Sequence, residues 1–305
     1  MVMDQHSVIP ESPRPRGGDW KRALGDYWKL TKPEVNFLVL VSVLVGFDLG
    51  RPSAVDWTLL FFTLLGTLLV ASGTGTLNQY LERVFDGRMR RTVERPLPAG
   101  RVSPSGALVF GLLLAVIGGV LLALQVNILA SFLAIVTLAT YLLIYTPLKR
   151  RTPLCTVVGA FPGAMPPLIG WAAARGSVSA EAWILYALLF FWQFPHFLAI
   201  AWMYREDYER AGYLMLPQGD HEGRAMAWQV VAFSLLLIPA SLLPGLVGEA
   251  GSVYLIGAVA LGLAFLYCGG RLAFSRTRPC ARQVLLASII YLPLLFSLMM
   301  ADKVS

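Results

Sequence analysis

Three side chains raise the first chemical question: Asn78, Glu82 and Asp86 recur at intervals of four residues along one stretch of chain. On a helix, each step of four turns about 40° past a full turn and rises about 6 Å, so the three oxygen-bearing groups share one stripe. Carboxylate and amide oxygens are the hard donors that Mg2+ prefers, and this ion commonly binds through one or two carboxylates plus substrate phosphates. Arg83, Arg88, Arg90, Arg91 and Arg95 crowd the same segment, and guanidinium forks match phosphate oxygens in pairs. Acid and base mixed this densely suit a metal-bridged diphosphate. They also suit a solvated juxtamembrane loop with ion pairs, and spacing alone leaves both open.

A second acidic segment, Arg205-Glu-Asp207-Tyr208-Glu-Arg-Ala-Gly212, offers Asp207 as a further metal ligand. Glu206 and Glu209 suit water or pairing with Arg205 and Arg210. Lys149 and Arg150, after Tyr145-Thr-Pro, are candidate diphosphate contacts beside Arg83 and Arg88. His196, in Phe-Pro-His-Phe, is an ionisable group inside an apolar run, where such residues carry function by default. It suits equally a packed polar residue bonded to a backbone carbonyl. Trp192 and other aromatics suit stacking on a cation, although interfacial belts account for most Trp and Tyr near helix ends. Cys155, Cys268 and Cys280 fit no metal or redox spacing.

The elements that must position these groups follow from composition. Of 305 residues, 56% are hydrophobic and 14% charged, whereas a soluble domain carries about 45–50% apolar and about 25% charged residues. An ordinary soluble enzyme, a disordered chain and a disulfide scaffold are thereby excluded. Apolar runs recur at 34–50, 57–80, 105–124, 128–147, 154–174, 181–203, 227–246, 253–270 and 283–300. A membrane-spanning helix needs about 20 such residues, and runs this long without alternation are helices rather than barrel strands. The expected fold is therefore an all-α polytopic membrane protein with nine transmembrane helices. Gly and Pro within 159–167 predict a break in the fifth. Of 25 Lys and Arg residues, 22 fall in the N-terminal segment, 81–104, 148–153, 204–226 and 271–282. Alternating sides place the N-terminus in the cytoplasm and the C-terminus outside. In such a chain the net charge of +7 sets orientation and calls for no nucleic acid. Residues 1–27 are expected as a flexible cytoplasmic tail and 28–302 as the transmembrane domain.

Asn78…Glu82…Asp86 resembles the NxxxDxxxD signature of the UbiA-type intramembrane prenyltransferases. The surrounding words are similar to the protohaem IX farnesyltransferase branch: Leu30-Thr-Lys-Pro33, Asn78-Gln-Tyr-Leu-Glu-Arg83, Arg95-Pro-Leu-Pro-Ala-Gly100, Tyr145-Thr-Pro-Leu-Lys-Arg150, Pro162-Gly-Ala-Met-Pro-Pro-Leu-Ile-Gly-Trp171, Trp192-Gln-Phe-Pro-His-Phe197, and Asp207-Tyr-Glu-Arg-Ala-Gly212 with Met215-Leu-Pro217. The match runs in order from about 28 to 230. Glu82 stands where the general signature has Asp, and Ala211 stands where other branches carry a second aspartate four residues after Asp207.

The resemblance implies a UbiA-type helical bundle that transfers the farnesyl group of farnesyl diphosphate to the 2-vinyl group of haem b, with water addition, giving haem O and diphosphate. It implies Mg2+ held by Asn78, Glu82, Asp86 and Asp207. Arg83, Arg88, Lys149 and Arg150 would bind the diphosphate; His196, as axial ligand or propionate partner, with Trp192 and Tyr208 would bind the haem, aromatic rings stacking on the porphyrin. It further implies a bacterial inner-membrane location, with haem A synthase or oxidase assembly factors as partners beside the lipid bilayer. A superfamily member that prenylates a quinone precursor is the alternative enzyme. A secondary transporter is the alternative class; broken helices favour it, and clustering of ionisable residues at one face rather than at the midplane opposes it.

Overall fold

Lipid offers no hydrogen bonds, so an apolar run must satisfy its backbone within itself, and only a helix does so for a single segment. The computed structural model describes residues 20–217 and 219–304 and is helical throughout, save one isolated bridge between Ala250 and Lys303. In chain order the helices are α1 (Trp20–Leu30), α2 (Pro33–Gly50), α3 (Trp57–Asp86), α4 (Pro104–Gln125) and α5 (Ile128–Ala139). A π-helical turn (Thr140–Tyr145) leads from α5 into the short α6 (Thr146–Leu148). Then follow α7 (Cys155–Gly163), α8 (Pro166–Arg175), α9 (Ala180–Met203), α10 (Arg205–Ala211), α11 (Arg224–Leu246), α12 (Ser252–Ser275) and α13 (Arg278–Ala301). Among the described residues, 9 helical segments are long and apolar enough to cross a membrane, and they coincide with the nine apolar runs. The chain is a multi-pass membrane protein.

The expected break in the fifth span separates α7 from α8. Pro166 cannot donate to the preceding turn, and the helix restarts there with prolines in its first turn. Gln193 on α9 supports the broken segment by donating to the Ala160 carbonyl at 2.9 Å. The wide turn at Thr140–Tyr145 likewise precedes Pro147, and the Thr146 hydroxyl donates to the Tyr141 carbonyl at 2.9 Å. Neither the π turn nor α10 was expected. Residues 1–19 of the expected tail lie outside the described residues, and its boundary at 27 falls inside helix α1.

Small residues let the helices meet backbone to backbone, as association inside lipid requires. A methyl on Gly73 of α3 would lie 2.7 Å from the Gly111 carbonyl of α4, and one on Gly118 would lie 2.7 Å from the Gly66 carbonyl. Gly46 of α2 faces the Pro167 carbonyl of α8, and Gly170 of α8 faces the Val43 carbonyl of α2. In the second half, α9, α11, α12 and α13 pack around Phe265, Tyr254, Tyr291 and Phe296.

Charge is kept to the two ends of this bundle. At one end, Arg51 pairs with Asp48 at 2.7 Å and Lys303 donates to the Asp48 carbonyl at 2.5 Å. The opposite end carries the residues of chemical interest. Gly170→Ala is expected to lower stability by about 1–3 kcal/mol through overpacking against a carbonyl that cannot retreat. Gly270→Ala, with nothing within 4 Å of the added methyl, is expected to be neutral or mildly stabilising; thermal unfolding in detergent compares the two.

Candidate functional site

The stripe lies on the last turns of α3. Asn78, Glu82 and Asp86 are all buried there, with relative exposures of 1%, 7% and 1%. A row of buried oxygens needs donors, and these come from three other elements. Lys32, in the two-residue link between α1 and α2, donates to Asn78 Oδ1 at 2.8 Å. The Asn78 amide donates to Glu82 Oε2 at 3.0 Å and to the Thr146 hydroxyl at 3.3 Å. Lys149, just past α6, donates to Glu82 Oε1 at 2.8 Å. One turn further on, Arg95 reaches Asp86 Oδ2 at 2.8 Å, and the Thr92 hydroxyl closes the loop onto the Asp86 carbonyl at 2.7 Å.

Asp207, in the first turn of α10, binds separately. It pairs with Arg210, and its two oxygens accept from the backbone amides of Arg90 and Arg91 at 3.4 Å each. The Arg91 guanidinium donates to the Tyr208 hydroxyl at 2.8 Å and lies over the rings of Tyr204 and Tyr208. Among the described residues, no three His, Cys, Asp or Glu side chains converge on one point. The carboxylates instead occur singly, each with its own cation.

The other expected diphosphate contacts sit at the rim. Arg83 turns back to the Tyr80 carbonyl at 2.7 Å and covers that ring. Arg88 and Arg150 lie on Phe85, 5.5 and 4.3 Å from its centroid. His196 and Trp192 face a different helix: His196 Nδ1 lies 2.7 Å from the Ser288 hydroxyl on α13, and the Trp192 indole donates to the Ser288 carbonyl at 2.9 Å. The two rings stack at 4.9 Å.

The site also includes residues that spacing along one helix does not reveal. Lys32 sits in left-handed backbone, with φ of 53°, a conformation that persists in a non-glycine residue only where its surroundings over-determine it. Burial, with the charges of Arg95 and Lys149 adding, pulls its ammonium down to about 7. Lys149 is buried too, but the Glu82 carboxylate outweighs burial and holds its pKa above the ordinary value; Tyr141 and Tyr145 flank its ammonium at 5.9 and 4.6 Å. Tyr213 stands beside Glu82, its buried hydroxyl outside hydrogen-bond geometry to any partner among the described residues. Burial and the nearby Glu82 charge push this phenol up. A Lys-Pro pair opening a span and a tyrosine soon after an acidic turn were the only local signals for Lys32 and Tyr213.

The model of the UbiA prenyltransferase family matches residues 39–292. A protoheme IX farnesyltransferase of Solibacter usitatus is 50% identical over 287 residues, covering 91% of this chain and 98% of that protein. The chain belongs to the UbiA prenyltransferase family. Proteins of the same name from Salinibacter ruber and Koribacter versatilis are 46% and 44% identical, each over 92% of this chain. The family fold recurs in the solved structure of a digeranylgeranylglyceryl phosphate synthase (TM-score 0.76, 18% identity, covering 92% of this chain and 98% of that one). It recurs again in a UbiA homologue from Archaeoglobus fulgidus bound to GPP and Mg2+ (TM-score 0.62, 17% identity, 90% and 99% covered).

In this family member, Lys149→Met is expected to lower stability by about 3–5 kcal/mol, because it leaves a buried carboxylate without its cation. Glu82→Gln/Lys149→Met is expected to recover most of the loss. A double-mutant cycle of thermal unfolding checks both.

Proposed function

We propose that this prenyltransferase moves the farnesyl group of farnesyl diphosphate to the 2-vinyl group of haem b, with addition of water, giving haem O and diphosphate. Three buried carboxylates at one end of an apolar bundle, each balanced by its own cation, carry the assignment. With a divalent cation bound, these carboxylates would face it, and the lysines and arginines paired with them would be free to meet the diphosphate. The identity to proteins named protoheme IX farnesyltransferase supports haem b as acceptor.

The donor set is all oxygen, which is the chemistry Mg2+ selects. Asn78, Glu82, Asp86 and Asp207 would hold it beside the diphosphate. When bound, the ion neutralises charge gathering on the leaving diphosphate, usually the largest catalytic contribution at such a centre. Lys149, at Glu82, and Arg83, Arg88 and Arg150, at the rim, bind the remaining diphosphate oxygens; Lys32 and Arg95 lie close enough to join them. The bond between the first farnesyl carbon and oxygen breaks with both electrons leaving on diphosphate. The vinyl π electrons form the new carbon–carbon bond, and the cation left beside the porphyrin takes one water and releases a proton. Met89, Cys155, Ala201 and Met215, packed beside the polar stripe, keep stray water from the allylic cation.

His196 is set up to donate to a metal. Ser288 spends its hydroxyl proton on the Leu285 carbonyl at 2.6 Å, so it accepts from His196 Nδ1–H and leaves the Nε2 lone pair free. A second-shell bond of this kind fixes the tautomer in histidine ligands. His196 Nε2 would hold the haem iron, and Trp192 and Tyr208 would lie against the porphyrin. The basic end of the bundle faces the cytoplasm of a bacterial cell, with the C-terminus outside the inner membrane, and haem O passes to haem A synthase or oxidase assembly factors.

Membranes holding the protein, given haem b and farnesyl diphosphate, are expected to form a hydroxyethylfarnesyl porphyrin detectable by mass spectrometry. Asp86→Asn is expected to cut its formation about 100-fold or more. Prenylated hydroxybenzoate without the porphyrin product would overturn haem b as acceptor. His196→Gln is expected to abolish the Soret shift on haem b binding and to raise KM for haem but not for farnesyl diphosphate; an unchanged Soret band would remove His196 from the iron.

A further inference from the structure

Helix α1 plays no part in the chemistry above, yet it carries a patterned surface. At about 100° per residue, Trp20, Leu24 and Trp28 form one stripe, and they are 67%, 65% and 63% exposed. Lys21 and Lys29, also exposed, lie on the adjoining arc. The opposite side is tied to the bundle: Arg101 grips Asp26 at 3.0 and 3.1 Å, Leu30 is fully buried, and Gln79 of α3 donates to the Leu30 carbonyl at 3.0 Å. The stripe is therefore held out from the protein by anchored backbone.

Beneath it runs a groove of about 1100 Å³, walled by Trp20, Leu24, Tyr27 and Trp28 of α1 and floored by Val109 and Leu113 of α4. The floor decides what fills it. Val109 and Leu113 are 55% and 54% exposed on the outer face of a membrane-crossing helix, so the groove opens into hydrocarbon. Lys21 stands at its edge, and Lys29 lies one residue beyond Trp28. A helix with Trp and Leu on one arc and Lys on the next lies in the plane of the membrane interface, where lysines attract anionic headgroups.

We propose that α1 is an interfacial helix that, together with α4, binds one anionic phospholipid, an acyl chain lying in the groove between Trp28 and Val109 and the phosphate meeting Lys21 and Lys29. The site is independent of the reaction assigned above. It does bear on that reaction's geometry, because α1 ends two residues before Lys32, whose ammonium holds Asn78.

Full-length protein in nanodiscs of phosphatidylcholine brominated at acyl carbons 6 and 7 tests the seating of the helix. The emission lost between the parent and Trp20→Phe/Trp28→Phe, which reports the two indoles, is expected to be quenched by more than half relative to unbrominated nanodiscs. Equal emission in both would overturn the proposal and mean that protein, or water alone, covers the stripe. Delipidated protein titrated with phosphatidylglycerol and observed by native mass spectrometry is expected to retain one lipid more than Val109→Trp, which fills the floor, and one more than Lys21→Glu/Lys29→Glu. Equal retention in all three would also overturn it. Val109 is on the lipid-facing surface, and helical content by circular dichroism confirms that each variant is folded.

Discussion

The ion pair between Lys149 and Glu82 is the constraint on which the rest of this structure depends. Both groups are buried, at 8% and 7% exposure, and removing a charge from water costs several kcal/mol that only a close partner and further hydrogen bonds recover. Glu82 recovers it twice, from the Lys149 ammonium and from the Asn78 amide, and Asn78 in turn is held by Lys32. Four side chains from three separate parts of the chain thus form one chain of bonds. Moving any one of those elements would strand a buried charge. Placing the pair at the end of the bundle, where headgroups and water begin, keeps that cost bearable.

The length of α3 explains how the stripe reaches this position. Its 30 residues span about 45 Å, against a hydrocarbon thickness of about 30 Å. The surplus carries the Asn78–Asp86 stripe out of the apolar slab while the rest of the helix stays locked to α4 by its glycines. A helix of ordinary membrane length would leave these oxygens either in hydrocarbon or on a mobile loop. The π turn before Pro147 serves the partner strand of chain in a similar way, delivering Tyr141, Tyr145 and Lys149 onto the same side of Glu82.

Much of this was legible in the sequence, and the reasons differ by element. Nine spans could be read because hydrocarbon thickness dictates run length, and a break within 159–167 because proline forbids the continuing bond. The stripe could be read because a four-residue interval is a statement about one helix. Which cation meets which carboxylate could not, because Lys32, Lys149 and Arg95 approach from elements whose packing angles no local pattern encodes. The same limit applies to His196: its depth in α9 was readable, but the face it presents to α13 depends on helix rotation. Helix α1 went unseen because, at 11 residues, it is too short and too charged to register as a span, although Trp20, Leu24 and Trp28 already stood at intervals of four.

Asp207 has no second acid one turn further along its helix, and the geometry shows what stands there instead. The position four residues later, Ala211, is 1% exposed and packed with Met89, Cys155 and Ala201. A carboxylate there would be buried against methyl groups and sulfur, and would cost several kcal/mol unless a neighbouring cation left its present partner to pair with it. Asp207 does structural work: with Arg210 beside it, it accepts from two successive amides at Arg90 and Arg91 and so pins the segment that follows α3. That segment carries Arg95, the cation of Asp86. Asp207 therefore acts on the first carboxylate cluster through the backbone as well as through any shared ion, and its loss would slacken Arg95 even where no metal is bound.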